Sequence, residues 1–153
     1  MKYLWKHVFD MPPSWLVLFI VIVWQQSRLW NPLAYGGTVI DRLGWALIVL
    51  GLLIMVWAFL QFLSHKTSIV PRNIPNAFIA AGPYKFSRNP IYLADTLVLF
   101  GFTLLMGSVI GLLLVPVFMW VIFTRFIQGE EAGLRATYPE AFETFCATTR
   151  RWL

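Results

Sequence analysis

A chain of 153 residues that is 59% hydrophobic and only 12% charged carries about half the charge usual for a soluble domain, near 25%. Its mean hydropathy of +0.70 leaves too little polar surface to cover a globule, so one domain, residues 1–153, with lipid as its solvent is expected. The lone Cys146 excludes an intrachain disulfide, His7 and His65 lie too far apart to suggest a metal centre, and the net charge of +5 is too dispersed to imply nucleic acid.

Lys2 and Lys6 precede a short apolar run, Trp15 to Val23, but the following Trp24-Gln25-Gln26-Ser27-Arg28 offers no small-x-small cleavage site. The segment is therefore expected to be retained as a membrane helix. A crossing needs about 20 apolar residues. Segment one, Ser14 to Trp30, is a marginal crossing because Gln25, Gln26 and Arg28 occupy its last third, while Pro12 and Pro13 suit its first turn. Segment two, Leu43 to Leu63, is clean. The third run, Ile91 to Ile127, would extend about 55 Å as one helix, too far for one crossing. Gly107-Ser108 is the expected turn of a helical hairpin, with helix three at Pro90–Met106, helix four from Val109, and a kink at Pro116.

Four crossings put both ends of the chain and the 64–90 loop on one side. Ten of the 12 lysines and arginines fall there, and only Arg28 and Arg42 fall opposite. That side is expected to be cytoplasmic by the positive-inside rule. Most tryptophans lie near predicted helix ends, as interfacial anchors do, while Trp57 and Trp120 read equally well as packing residues. The fold class is thus an all-α membrane protein of about four transmembrane helices, with cytoplasmic N- and C-termini and a cytoplasmic helical tail. Residues 1–63 supply two helices, and residues 64–153 supply a loop, the hairpin and the tail.

Functional polar groups concentrate in the Ser64–Asn89 loop and in the tail beyond Gln128. The loop's Pro71, Pro75, Pro83 and Pro90 disfavour regular helix. Asn89 and Pro90 together read as the start of helix three, an N-cap followed by a first-turn proline. That reading leaves Gly82-Pro83-Tyr84, Arg88 and Tyr92 unexplained. An arginine one turn before exposed helical N–H groups makes an anion site. Asp95, one turn after Tyr92 on the same face, is either an interfacial carboxylate favoured by the helix dipole or a site residue facing a cavity.

In the tail, Glu130-Glu131 begins a polar stretch, and Glu131 with Arg135 has the i, i+4 spacing of a surface ion pair. The opposed ends of the hairpin are expected to bring these carboxylates to the mouth occupied by Arg88 and Tyr92. An arginine, tyrosines and adjacent carboxylates at one mouth suit a small zwitterion.

Gly-Pro-Tyr at 82–84, Ser-Arg-Asn-Pro-Ile-Tyr-Leu at 87–93, a helical hairpin, Glu-Glu at 130–131 and a tail ending Arg-Arg-Trp-Leu together resemble the integral-membrane methyltransferases related to isoprenylcysteine carboxyl methyltransferase and the phospholipid methyltransferases. The resemblance runs from His65 to Leu153, and Arg-Asn-Pro is similar to the short prokaryotic members. It implies S-adenosylmethionine as cofactor, bound by Gly82, Pro83, Tyr84, Arg88, Asn89, Pro90, Tyr92, Glu130 and Glu131. It also implies an inner-membrane location with the site on the cytoplasmic side, and an acceptor entering from lipid. Two departures stand out: Asn89 where the eukaryotic form commonly has histidine, and Tyr138-Pro139-Glu140-Ala141-Phe142 where a Phe-Gly pair and a tyrosine are frequent.

Under that resemblance Glu130 and Glu131 would take the cofactor ammonium or ribose hydroxyls, and Arg88 its carboxylate or an anionic acceptor. Arg88, Glu131 and Asp95 are the catalytic candidates. Methyl transfer is an in-line displacement that positioning can largely accelerate. A carboxylate or thiolate acceptor needs no base, whereas an amine would call on Asp95 or a tail glutamate, which favours an anionic acceptor. The competing expectation is a non-catalytic four-helix scaffold or headgroup-binding protein. A transporter fits less well, since little polarity lies at mid-membrane. No metal and no nucleic-acid partner is expected.

Overall fold

The structure is a computed structural model that describes residues 11–65 and 78–153. Helices dominate, and no strand occurs among the described residues. In chain order they are α1 (Pro12–Leu29), α2 (Thr38–Ser64), α3 (Pro90–Leu105), α4 (Val109–Ile122), α5 (Gln128–Thr137) and α6 (Pro139–Thr148). A 3-10 turn, Gly82–Lys85, precedes α3, and a π-helical turn, Phe123–Ile127, joins α4 to α5 without a break. Lys2, Trp5, Lys6, His7, Lys66, Pro71, Arg72 and Pro75 lie outside the described residues.

Segment one is helical although its end is polar, because that end finds partners. The Gln26 side-chain oxygen accepts from the Ser108 hydroxyl at the α3–α4 turn, and the Asn31 amide donates to the Gly107 carbonyl at 3.3 Å. α2 starts earlier than its apolar run, at Thr38, with Asp41 in its first turn, where a carboxylate complements the helix dipole. α2 and the continuous helix Val109–Thr137 are long and apolar enough to cross a membrane, and α3 is a shorter apolar helix.

The hairpin turn falls at Gly107-Ser108 as expected. Gly107 has φ +58°, and a side chain there would collide with the Tyr35 carbonyl. The Ser108 hydroxyl accepts from the Gly111 N–H at 2.9 Å, capping α4. α2 and α3 approach backbone to backbone: a Cβ on Gly101 would sit 2.5 Å from the Gly44 carbonyl oxygen.

Two apolar clusters hold the chain together. One joins Phe19 and Val23 of α1, Tyr92 and Leu99 of α3, and Phe118 and Ile122 of α4, with Phe19 and Phe118 edge to face at 5.2 Å. The other packs Phe142 and Phe145 of α6 on Ala58 of α2, Ile79 and Tyr84. α2 keeps a long row of exposed apolar side chains, Leu53, Val56 and Leu60 among them, which is the composition expected of a lipid-facing surface. Trp24, Trp30, Trp45, Trp57 and Trp120 are all exposed. Trp15 instead packs against the first cluster, under the Arg125 guanidinium at 4.9 Å.

Candidate functional site

The loop before α3 and the helix after the π-helical turn meet at one end of the bundle. The Tyr92 hydroxyl donates to Glu130 Oε1 at 2.7 Å across 38 positions of sequence. Tyr92 reaches it because α3 begins only two residues earlier, at Pro90. Glu130 reaches it because the π-helical turn carries the chain straight on from α4.

The Gly82–Lys85 turn sets the loop. Gly82 has φ +61°, and a Cβ there would lie 2.7 Å from the Gln61 amide, so this glycine accommodates α2. Pro83 and Tyr84 are buried, with the Tyr84 ring edge-on to Phe62 at 6.0 Å. Burial, followed by the Glu130 charge, pushes the Tyr84 phenol above its ordinary range. Tyr84 is therefore held neutral.

Asn89 occupies the N-cap position of α3, but its side chain makes no capping bond. The amide donates instead to the Arg151 carbonyl at 3.3 Å. The Arg88 side chain is 13% exposed, and Nη2 stands 3.9 Å from Glu131 Oε1. Its Nη1 donates to the Cys146 thiol. The buried Arg88 Nε has no hydrogen-bond partner.

Glu131 makes a different ion pair from the one expected. Its two oxygens accept from Arg151 Nε at 2.9 Å and from Arg151 Nη2 at 2.8 Å, a bidentate pair. Arg135, the expected i+4 partner, bonds Glu143 of α6 at 2.8 Å and lies over the Phe142 ring. The i, i+4 pair loses because Glu131 faces inward, and α6 folding back offers Arg135 an exposed carboxylate. Glu131 sits beyond the apolar stretch that ends at Ile127. Burial alone would raise its carboxyl. The Arg151 hydrogen bonds, the Arg88 and Arg151 charges and a hydrogen bond from Asn89 outweigh that and hold it below its ordinary value.

Asp95 is only 2% exposed, and its Oδ2 has no partner. It lies on the stripe of α3 that carries Tyr92 and Leu99, by i, i+3, i+7 spacing. An interfacial, hydrated carboxylate would be open to solvent, and this one is not.

All the predicted site residues except Asp95 thus come from two stretches that meet, and Asp95 follows one turn deeper. Sequence reasoning missed Ser87, Cys146 and Arg151. Ser87 is 1% exposed, and its hydroxyl donates to the Arg151 carbonyl at 3.2 Å. For Arg151 a signal existed: adjacent carboxylates need cations, and the Arg-Arg pair of the tail supplies them. Among the described residues no three of His, Cys, Asp and Glu gather as a metal site would require.

A family model, phospholipid methyltransferase, matches residues 39–141, two thirds of the chain and both stretches up to α6. The chain belongs to the phospholipid methyltransferase family, and with its long apolar helices it is an integral membrane protein. Among curated proteins it is similar to protein-S-isoprenylcysteine O-methyltransferase of Schizosaccharomyces pombe, 26% identical over 135 residues. That match covers 87% of this chain and 50% of the relative, so the chain spans about half the length of the protein it matches. No solved structure matches it significantly.

Proposed function

We propose that this chain transfers a methyl group from S-adenosylmethionine to a lipophilic, membrane-partitioned acceptor. In this reading α1 to α4 make four crossings as one domain over 1–153, with both ends of the chain, the loop and the α5–α6 tail on the cytoplasmic side of a prokaryotic inner membrane. The charge distribution supports that orientation. The observation that carries the site is the 2.7 Å bond from Tyr92 to Glu130, which joins loop and tail at one mouth.

The residues fit the cofactor's chemistry. Arg88 has a buried, unpartnered Nε, an N–H that a carboxylate would satisfy. A carboxylate has about four lone-pair positions; Arg151 takes two on Glu131 and Asn89 a third, leaving one for an ammonium or a ribose hydroxyl, with Glu130 beside it. Tyr84 and Tyr92 present aromatic faces suited to a sulfonium, while Gly82, Pro83, Asn89 and Pro90 shape the backbone around them. When bound, S-adenosylmethionine supplies an electrophilic methyl on a positively charged sulfur. The chain's own part is to orient donor and acceptor in line and to exclude water, which burial of Tyr92 and Asp95 favours.

An acceptor that arrives ionised, a carboxylate or a thiolate, needs no base. The activity named for the fission-yeast relative supports such an acceptor. In this reading Asp95 or a tail glutamate would take the proton from an acceptor that carries one. Calorimetry of the detergent-solubilised protein with S-adenosylhomocysteine tests the reading. Wild type should bind, and Glu131→Lys should abolish binding with helicity intact. Absence of binding by folded wild type would overturn the proposal in favour of a non-catalytic membrane scaffold.

A further inference from the structure

The donor-binding reading assigns the loop and α5, but leaves open what holds them in register. Directly between the two run the 3.9 Å contact of Arg88 with Glu131, the hydrogen bond from Asn89 to Glu131 and the Tyr92–Glu130 bond. The residues after α6 supply the rest. α6 ends at Thr148, and extended Thr149 (φ −130°, ψ 132°) turns the chain back toward the loop. There the Arg88 N–H donates to the Arg150 carbonyl at 2.9 Å, and the Arg151 carbonyl accepts from both Ser87 and Asn89. The Arg151 side chain meanwhile grips both oxygens of Glu131 and lies over the Phe123 ring at 4.9 Å. Trp152 packs against the core cluster behind it.

We infer that Arg151 is a positioning residue of the donor site, its main chain fixing Ser87 and Asn89 while its guanidinium fork fixes the plane of the Glu131 carboxylate. The inference rests on the proposed methyl-donor reading. A lysine would keep the charge but not the fork, since an ammonium is a point donor on a flexible stem and cannot hold two oxygens in one plane. An ion pair that served only to tie down the tail would tolerate that exchange. A pair that aims a carboxylate would not.

The experiment measures S-adenosylhomocysteine binding by calorimetry and thermal unfolding in parallel, in detergent, for wild type, Arg151→Lys and Arg151→Ala. Arg151→Lys should melt within a few degrees of wild type yet bind about tenfold or more weakly, the scale of a charge-assisted hydrogen bond. Guanidinium ion added to Arg151→Ala should restore part of the lost affinity. With any accepted substrate, the donor KM should rise while the acceptor KM stays put. If Arg151→Ala does not fold, Arg151→Lys carries the test alone. Wild-type affinity in folded Arg151→Lys refutes the positioning role and leaves the donor reading standing. Failure of wild type to bind removes the donor reading and this inference with it.

Discussion

Glu131 and Glu143 accept from arginines at the same distance, 2.8 Å, yet replacing each with glutamine should have very different consequences. The Glu131 side chain is 11% exposed, Arg151 is 37% exposed, and the second arginine, Arg88, is well buried at 3.9 Å. At that separation two unit charges attract by about 4 kcal/mol in a medium of effective dielectric near 20. Removing one partner of a fully buried pair costs about 3–5 kcal/mol, because a charge is left uncompensated. Solvent reaching Arg151 screens part of this, so Glu131→Gln is expected to cost about 2 kcal/mol. For a chain of 153 residues, at roughly 2–4 °C per kcal/mol, the melting temperature should fall by about 4–8 °C. In the Arg135–Glu143 pair the side chains are 56% and 61% exposed, and water replaces what glutamine removes. Glu143→Gln should leave the melting temperature unchanged. Unfolding followed by circular dichroism in one detergent at one salt concentration compares the two directly. Equal shifts in the two variants would refute the claim that burial, rather than distance, sets the worth of these pairs.

Arg88→Ala should weaken donor or acceptor binding by more than about tenfold, the scale of a charge-assisted pair, and unchanged calorimetric affinity and rate would mean that the buried guanidinium serves only its contacts with Glu131 and Cys146. Tyr92→Phe removes the bond to Glu130 and should cost about tenfold in S-adenosylhomocysteine affinity while packing against Phe126 persists, as isothermal titration would show. Gly101→Leu must push α3 away from the Gly44 carbonyl and should destabilise by about 1–3 kcal/mol, read from the unfolding midpoint. The Glu131 carboxyl is held below its ordinary value when folded, so its stabilisation is present at neutral pH and is lost as pH falls through that lowered value. The gap in melting temperature between wild type and Glu131→Gln should therefore close only in acid, below the usual glutamate range near about 4.3.

The helices were legible because local chemistry marks them. Pro12-Pro13 and Asn89-Pro90 start helices, and Gly107-Ser108 turns the hairpin where, alone among the described residues, a left-handed glycine and a capping serine coincide. The meeting of Tyr92 with the Glu-Glu pair was legible from topology, since a hairpin returns its two ends to one place. What stayed hidden depended on long-range geometry. The i, i+4 rule favoured Arg135 for Glu131, and a cation 20 positions away won because a reversed tail presents it with both oxygens in line. Asn89 looked like a cap and serves the tail. The polar end of α1 made it a marginal crossing by sequence, and long-range geometry is what brings Ser108 within reach of Gln26 there.

Between α4 and α5 the Gln128 N–H bonds back to the Phe123 carbonyl, five residues away, where an ordinary helix reaches four. The surplus residue advances everything downstream by about 100° around the axis. Before that point the cylinder carries an apolar coat; beyond it, the phase has been reset so that Glu130 and Glu131 look toward the neighbouring polypeptide. The acidic pair owes its aim to this single slipped peptide, and shortening the turn by one residue would swing both carboxylates off target without altering any of their neighbours in sequence.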